Sequence, residues 1–158
     1  MRVKTTTLWI SLPLILIFLL PLPMNAASTE DQSVALWTRD ALIATLALDY
    51  IDEKKHFATV RPYYTFNAWN AIRSFLQRYM NQVQARHLVL NPTPIGQTVV
   101  VTSGVIKNSN FFTGLPYWEV KQTVTIPELG VTIDFVVIVI AVLSQDKYII
   151  QSLNMEIK

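Results

Sequence analysis

VTIDFVVIVIAVL, residues 131–143, is apolar at nearly every position. Read at the period of two that a strand imposes, it puts Ile133, Phe135, Val137 and Val139 on one face and Val136, Ile138, Ile140 and Val142 on the other. A strand apolar on both faces needs cover on both. The rest of the chain must therefore supply a layer for at least one side of a sheet.

Further strands are legible around it. Residues 97–157 are rich in Val, Ile and Thr, and strands are expected from Gln97 to Lys107, from Tyr117 to Ile126 and from Tyr148 to Ile157. The second alternates cleanly, with Trp118, Val120, Val124 and Ile126 against Glu119, Lys121, Thr123 and Thr125, so one of its faces is wet. The last alternates through Ile149, Leu153 and Met155, and Gly104 within the first suits a bend or bulge. Asn91-Pro92-Thr93-Pro94 breaks the chain between this sheet and a short strand at His87 to Leu90.

The covering layer comes earlier, where residues 34–85 carry helical spacing. WTRDALIATLALDYIDEKK, residues 37–55, reads as one helix. Its two adjoining stripes are Trp37, Ala41, Ala44, Leu48 and Ile51, and Leu36, Ile43, Ala47 and Tyr50, leaving Thr38, Thr45, Asp49 and Asp52 as a wet strip. A connector from His56 to Tyr64 leads to a second helix capped by Thr65 or Asn67, with Phe66, Trp69, Ile72, Leu76 and Met80 inward and Arg73 and Arg78 outward. Helices first and strands later make one α+β domain. Two helices cover one face of the sheet. The other face of the third strand, with Val136, Ile138 and Ile140, is left for a loop, another subunit or a partner protein, unless the long side chains of neighbouring strands fill it.

The N-terminus determines where the chain goes. Arg2 and Lys4 precede an uncharged apolar run from Leu8 to Leu20, followed by Pro21, Pro23 and small residues ending in Ala26 and Ala27. That is the order of a secretory signal, and the run falls short of the ~20 apolar residues a spanning helix needs. Cleavage after Ala26 is expected, with an uncleaved anchor as the alternative; residues 27–33 then read as a short tether and 34–158 as the domain. Residues 1–26 contain two of the thirteen Lys and Arg, so the remainder balances eleven bases against eleven acids. A neutral body gives little pull on a phosphate backbone or an anionic membrane, so neither nucleic acid nor direct lipid binding is expected beyond the N-terminal segment. Without cysteine, disulfides and thiol chemistry are excluded.

Chemistry has few candidates. Asp40 and Asp49 lie nine residues apart, on nearly opposite sides of a helix, and cannot act as a paired acid and base. Asp40 is expected to be bonded to a backbone amide or a base, its loss costing ~1–3 kcal/mol if buried, and Asp49 to cap or pair near the helix end. Asp134 with His56 or His87 is the remaining catalytic set, and an alternating strand aims Asp134 at solvent. The two histidines lack metal-ligand spacing, and no phosphate loop or nucleophile elbow is present. No catalytic residue, metal or cofactor is therefore expected. Phe111 and Phe112, at the tip of the polar hairpin loop 107–116, have the composition of an interface anchor.

Trp37-x-x-Asp40-Ala41, Ile43-Ala44, Asp49-Tyr50, Tyr63-Tyr64-Thr65 and Trp69, followed by Gly104-Val105-Ile106 and Tyr117-Trp118-Glu119-Val120, resemble the DotI/IcmL/TraM family of type IV secretion and conjugation proteins in the same order. The resemblance implies a cystatin-like cone, of the nuclear-transport-factor type, with helices on a curved four-stranded antiparallel sheet. It also implies a periplasmic, non-enzymatic scaffold or accessory subunit of a Dot/Icm-like complex in a Gram-negative envelope, with other envelope subunits or further copies of itself as partners. The cleavable-looking N-terminus and the longer 107–116 hairpin depart from the family's pattern. A free periplasmic module of the same cone fold, binding a small ligand or catalysing a reaction, is the competing reading.

Overall fold

The computed structural model describes residues 28–142 and 147–158. The expected export signal lies outside the described residues. Helix α1 spans Thr29–Leu46, α2 Glu53–Val60 and α3 Phe66–Ala85, with a 3-10 turn at Arg61–Tyr63 between the last two. Strands β1 (Thr93–Val105), β2 (Pro116–Ile126), β3 (Val131–Val142) and β4 (Lys147–Ile157) follow, forming an antiparallel sheet in chain order. This is the expected α+β layout, helices against one face of a four-stranded sheet.

The helical layer differs from the sequence expectation in three places. First, α1 starts at Thr29, so residues 29–33, expected as tether, are helical. Ser28 and Asp31 form a capping box, the Ser28 hydroxyl accepting from Asp31 N–H at 3.0 Å and the Asp31 carboxylate from Ser28 N–H at 3.3 Å.

Second, Thr38 and Thr45, expected on the wet strip, are fully buried, while Leu36 is 51% exposed. Each threonine hydroxyl donates to the carbonyl four residues back, Val34 or Ala41, at 2.7 Å, which satisfies its proton and lets it enter the core. The buried stripe is accordingly Val34, Thr38, Ala41, Leu42, Thr45 and Leu46.

Third, residues 37–55 are not one helix: α1 ends at Leu46, and α2, Glu53–Val60, extends into the 56–64 stretch expected as a connector. The backbone leaves α1 after Leu46 because its next groups find tertiary partners: Tyr50 N–H donates to Leu88 O at 3.2 Å and Leu90 N–H to Leu48 O at 2.8 Å. Asp49 accepts from Ile51 N–H at 2.8 Å, turning the chain, and Asp52 caps α2 by accepting from Lys55 N–H at 3.2 Å. The strand expected at His87 to Leu90 is reduced to a bridge between Val89 and Asp49. In α3, Thr65 is the cap, and Phe75 joins the buried stripe while Phe66 is exposed.

The sheet keeps its alternation. β2 and β3 pair without interruption from Tyr117 opposite Ile140 to Ile126 opposite Val131. Trp118, Val120, Val124 and Ile126 of β2 join Ile133, Phe135, Val137 and Val139 of β3 in the core. On the helix-free face of β3, Val136 and Ile138 are half-buried, and Ile140 is buried. β1 begins at Thr93, four residues before its expected start, and its bulges fall between Ile95 and Val99 and between Val100 and Thr102. Gly104 is not at either bulge. Its bare backbone makes room for the ring of its partner Tyr117, whose Cε1 would lie 3.2 Å from an added Cβ.

Candidate interaction surface

Several residues carrying the family resemblance tie the helical layer to the sheet. Trp37 of α1 meets Tyr63 edge-on with ring centroids 6.1 Å apart and Tyr148 of β4 at 5.6 Å, and Tyr148 meets Trp118 of β2 at 5.8 Å. The Trp118 indole N–H donates to Asp31 Oδ1 at 3.0 Å, joining the start of α1 to the middle of the sheet. Ala41 packs beneath in the core. Trp69 of α3 packs against Phe57 and Tyr64, and the Arg61 guanidinium lies 5.8 Å above its ring. Thr65 caps α3 while its N–H donates to Ile150 O at 2.9 Å and its hydroxyl to Gln151 O at 2.8 Å. Tyr50 stacks edge-on with His87.

Tyr64 lies deepest among these. Burial raises its hydroxyl well above the usual tyrosine range, and its bond to Thr45, at 2.7 Å, opposes part of that rise. Thr45 has one proton and gives it to Ala41 O, so Tyr64 is the donor between them. Thr45's own carbonyl, in the last turn of α1, is met by His56 Nε2 at 3.0 Å. A carbonyl only accepts, so Nε2 carries the proton there.

The acids separate as their positions dictate. Asp40, expected to be buried or tightly bonded, has a side chain 68% exposed and pairs with its neighbour Arg39 at 2.9 Å, a contact worth only ~0–1 kcal/mol. Asp49 makes its turn bond. Asp134 lies on the helix-free face, apart from His56 and His87 in the helical layer, so the structure does not assemble the candidate catalytic set. Lys158 Nζ, 2.6 Å from Asp134 Oδ2, and the Thr123 hydroxyl, donating at 2.6 Å, hold its carboxyl below the usual aspartate range.

A depressed folded-state pKa gives stability that is present above the ordinary aspartate value and lost as pH falls through the lowered one. Lys158→Met is therefore expected to raise the Asp134 titration towards its ordinary position and to move the acid limb of unfolding to higher pH. Carboxyl NMR and acid denaturation followed by circular dichroism read the two effects. Among the described residues no three His, Cys, Asp or Glu cluster as a metal site would require.

Three open surfaces stand out among the described residues. Between α2 and α3 is a groove of about 730 Å³, with Phe57 and Trp69 among its apolar walls and Arg61, Arg73, Asp52 and Glu53 among its charged ones. At the β1–β2 hairpin tip, Phe111 is 87% exposed and Phe112 half-buried. That tip has a built shape, since Ser109 Oγ accepts from Phe111 N–H at 3.3 Å and Phe112 N–H at 3.2 Å, the Thr113 hydroxyl bonds Ser109 O, and Gly114 has φ +88°. Third is the outer edge of β1, whose exposure the sequence expectation did not include. Its signal was present: no charged residue occurs from Asn91 to Ile106. The Ser28-x-x-Asp31 spacing likewise announced the helix start that the tether reading missed.

This arrangement recurs in solved structures. The periplasmic domain of DotI matches with a TM-score of 0.66 at 14% identity, over 80% of this chain and 94% of that one. The fold is that of DotI. A periplasmic fragment of TraM matches this DotI-like chain with a TM-score of 0.63 at 14% identity, over 82% and 98% of the two chains. An IcmL-like type IV secretion system protein from Legionella pneumophila subsp. pneumophila str. Philadelphia 1 does so at 0.56 and 17%, over 80% and 92%. No family model matches the sequence, nor does any curated protein. Among the described residues no helix of the DotI-like domain is long and apolar enough to cross a membrane.

Proposed function

We propose that the chain is a non-enzymatic scaffold or accessory subunit of a type IV secretion or conjugation-related envelope complex, acting in the periplasm of a Gram-negative bacterium through protein contacts. The observation that carries this reading is the likeness, over nearly the whole length of each relative, to domains described as periplasmic or as type IV secretion components. Two features support it. Several of the family-like residues, Trp37, Tyr64, Thr65 and Trp118 among them, join the layers, and half of the exposed large hydrophobic groups lie on a preformed hairpin tip and a sheet edge, where they suit docking.

The residues that test the reading are Phe111 and Phe112. Changing both to Ser removes the aromatic groups at the tip and leaves the Ser109 turn. Affinity purification from envelopes with mass spectrometry is expected to recover secretion-complex subunits with the parent chain and to lose them with the double variant, at little change in melting temperature. Unchanged recovery removes the hairpin from the interface, and recovery of no envelope subunit by the parent chain overturns the reading itself. N-terminal sequencing of the same material tests the proposed cleavage after Ala26.

A further inference from the structure

α2 and α3 run in opposite directions along the groove between them. Arg61, just past the end of α2, lies above the ring of Trp69 near the start of α3, while Tyr50, ahead of α2, meets His87 beyond the end of α3. Phe66, the first residue of α3, and Ile51 therefore mark opposite ends of the groove. They are 69% and 71% exposed, the most exposed large hydrophobic side chains among the described residues after Phe111. Phe66, Arg73 and Gln84 fall on one stripe of α3 at helical spacing, and the latter two line the groove with Phe57 and Trp69.

Its acids have an internal use and its bases have an incomplete one. Asp52 caps α2 by accepting from Lys55 N–H, and Glu53, in the first turn, sits at the positive end of the same helix dipole. Arg61 gives one N–H to Tyr64 O at 2.7 Å, which holds its guanidinium over Trp69 and leaves further donors. Arg73 is exposed and meets no acid among the described residues. The uncomplemented charge is positive. Two guanidinium groups lining one groove with aromatic rings suit a carboxylate flanked by apolar side chains.

Length decides between a small molecule and a chain. From Phe66 to Gln84, α3 rises about 27 Å at 1.5 Å per residue. A small molecule filling the middle leaves Ile51 and Phe66 in water. A segment of roughly eight extended residues, or about five turns of helix, covers both.

We propose that the α2–α3 groove holds a segment of another protein, in which one or two carboxylates meet Arg61 and Arg73 and apolar side chains cover Ile51 and Phe66. This contact goes beyond the function proposed above and does not depend on it: the chemistry of the bound segment follows from the groove, whatever assembly that segment belongs to.

Photo-crosslinking in the producing cell tests it. Benzoylphenylalanine in place of Ala58 or Gln84, both exposed residues of the groove, is expected to capture one partner segment, and mass spectrometry of the linked peptide to find Asp or Glu beside apolar residues. The same group in place of Asn154, on the helix-free face, is expected not to capture it. Arg73→Glu is expected to reduce the capture, and the affinity of the captured segment as a synthetic peptide, by roughly tenfold or more, with an unchanged circular dichroism melt. Arg73→Lys retains most of both, and exchanging the captured carboxylate for Lys restores binding to the Arg73→Glu chain. No capture from either groove position overturns the proposal, as does a segment without an acid, a capture indifferent to Arg73→Glu, a small molecule held in the groove, or linkage to a second copy of this chain. A segment from a protein outside any envelope complex leaves this contact standing and removes the function proposed above; envelope subunits recovered through the hairpin tip, with none captured at the groove, do the reverse.

Discussion

Phe135→Ala is expected to lower the stability of the fold by about 3–5 kcal/mol, the usual loss for truncating a fully buried aromatic side chain. Phe135 is 1% exposed and lies on the middle strand β3, with core residues of both neighbouring strands and of the helices around it. Deleting its ring leaves a cavity in the interior that holds the two layers together. Ile138, three residues on, points to the opposite face and is half-buried, so Ile138→Ala is expected to cost only about 1–2 kcal/mol. Urea unfolding of the two variants measures the difference. Equal losses would mean that the helix-free face is as tightly covered as the core, and would remove Val136 and Ile138 from consideration as docking residues. Ile140 is already removed, since its own chain buries it.

The second large effect concerns a buried pair of hydroxyls. Thr45→Val is expected to destabilise by about 1–3 kcal/mol, because it keeps the shape of the side chain but leaves the buried Tyr64 hydroxyl without an acceptor. Tyr64→Phe should cost less, about 0.5–1.5 kcal/mol, since Thr45 still donates to Ala41 O and loses only an acceptance. Combining the two is expected to recover part of the Thr45→Val loss, because no buried donor is then orphaned. Thermal melts of the three variants give the coupling. A double variant as unstable as the sum of the singles would show that the 2.7 Å contact does not link the two groups. The pair occupies the joint where α1 ends and Tyr64 crosses to β4, so it also tests whether the family-like residues serve the assembly of layers.

The strands were the most legible part of the fold. A period of two over Tyr117 to Ile126 and an apolar run over residues 131–142 leave few alternatives, and both appear with the expected faces. The first helix was legible as a helix and wrong in its details. Counting threonine as wet put Thr38 and Thr45 outside, whereas a hydroxyl bonded to its own helix four residues back is cheap to bury. Reading residues 37–55 as continuous ignored Asp49 and Asp52, two residues that turn and cap a backbone as readily as they decorate a helix. Asp40 shows the converse, an acid that looked placed for a buried bond and instead meets only its neighbour at the surface.

The sequence by itself determined that helices precede strands in an α+β layout, where the strongly alternating strands lie and which faces they show, and that the chain has no cysteine to react. These follow from side-chain chemistry and spacing, which act over a few residues. Only the tertiary structure decided that α1 ends at Leu46, that Trp118 reaches Asp31, that Gly104 makes room for Tyr117 and that Thr65 bonds to the carbonyls of Ile150 and Gln151 on β4. Each depends on what lies across a gap of many residues, where backbone groups are claimed by distant partners and burial is set by the neighbouring layer.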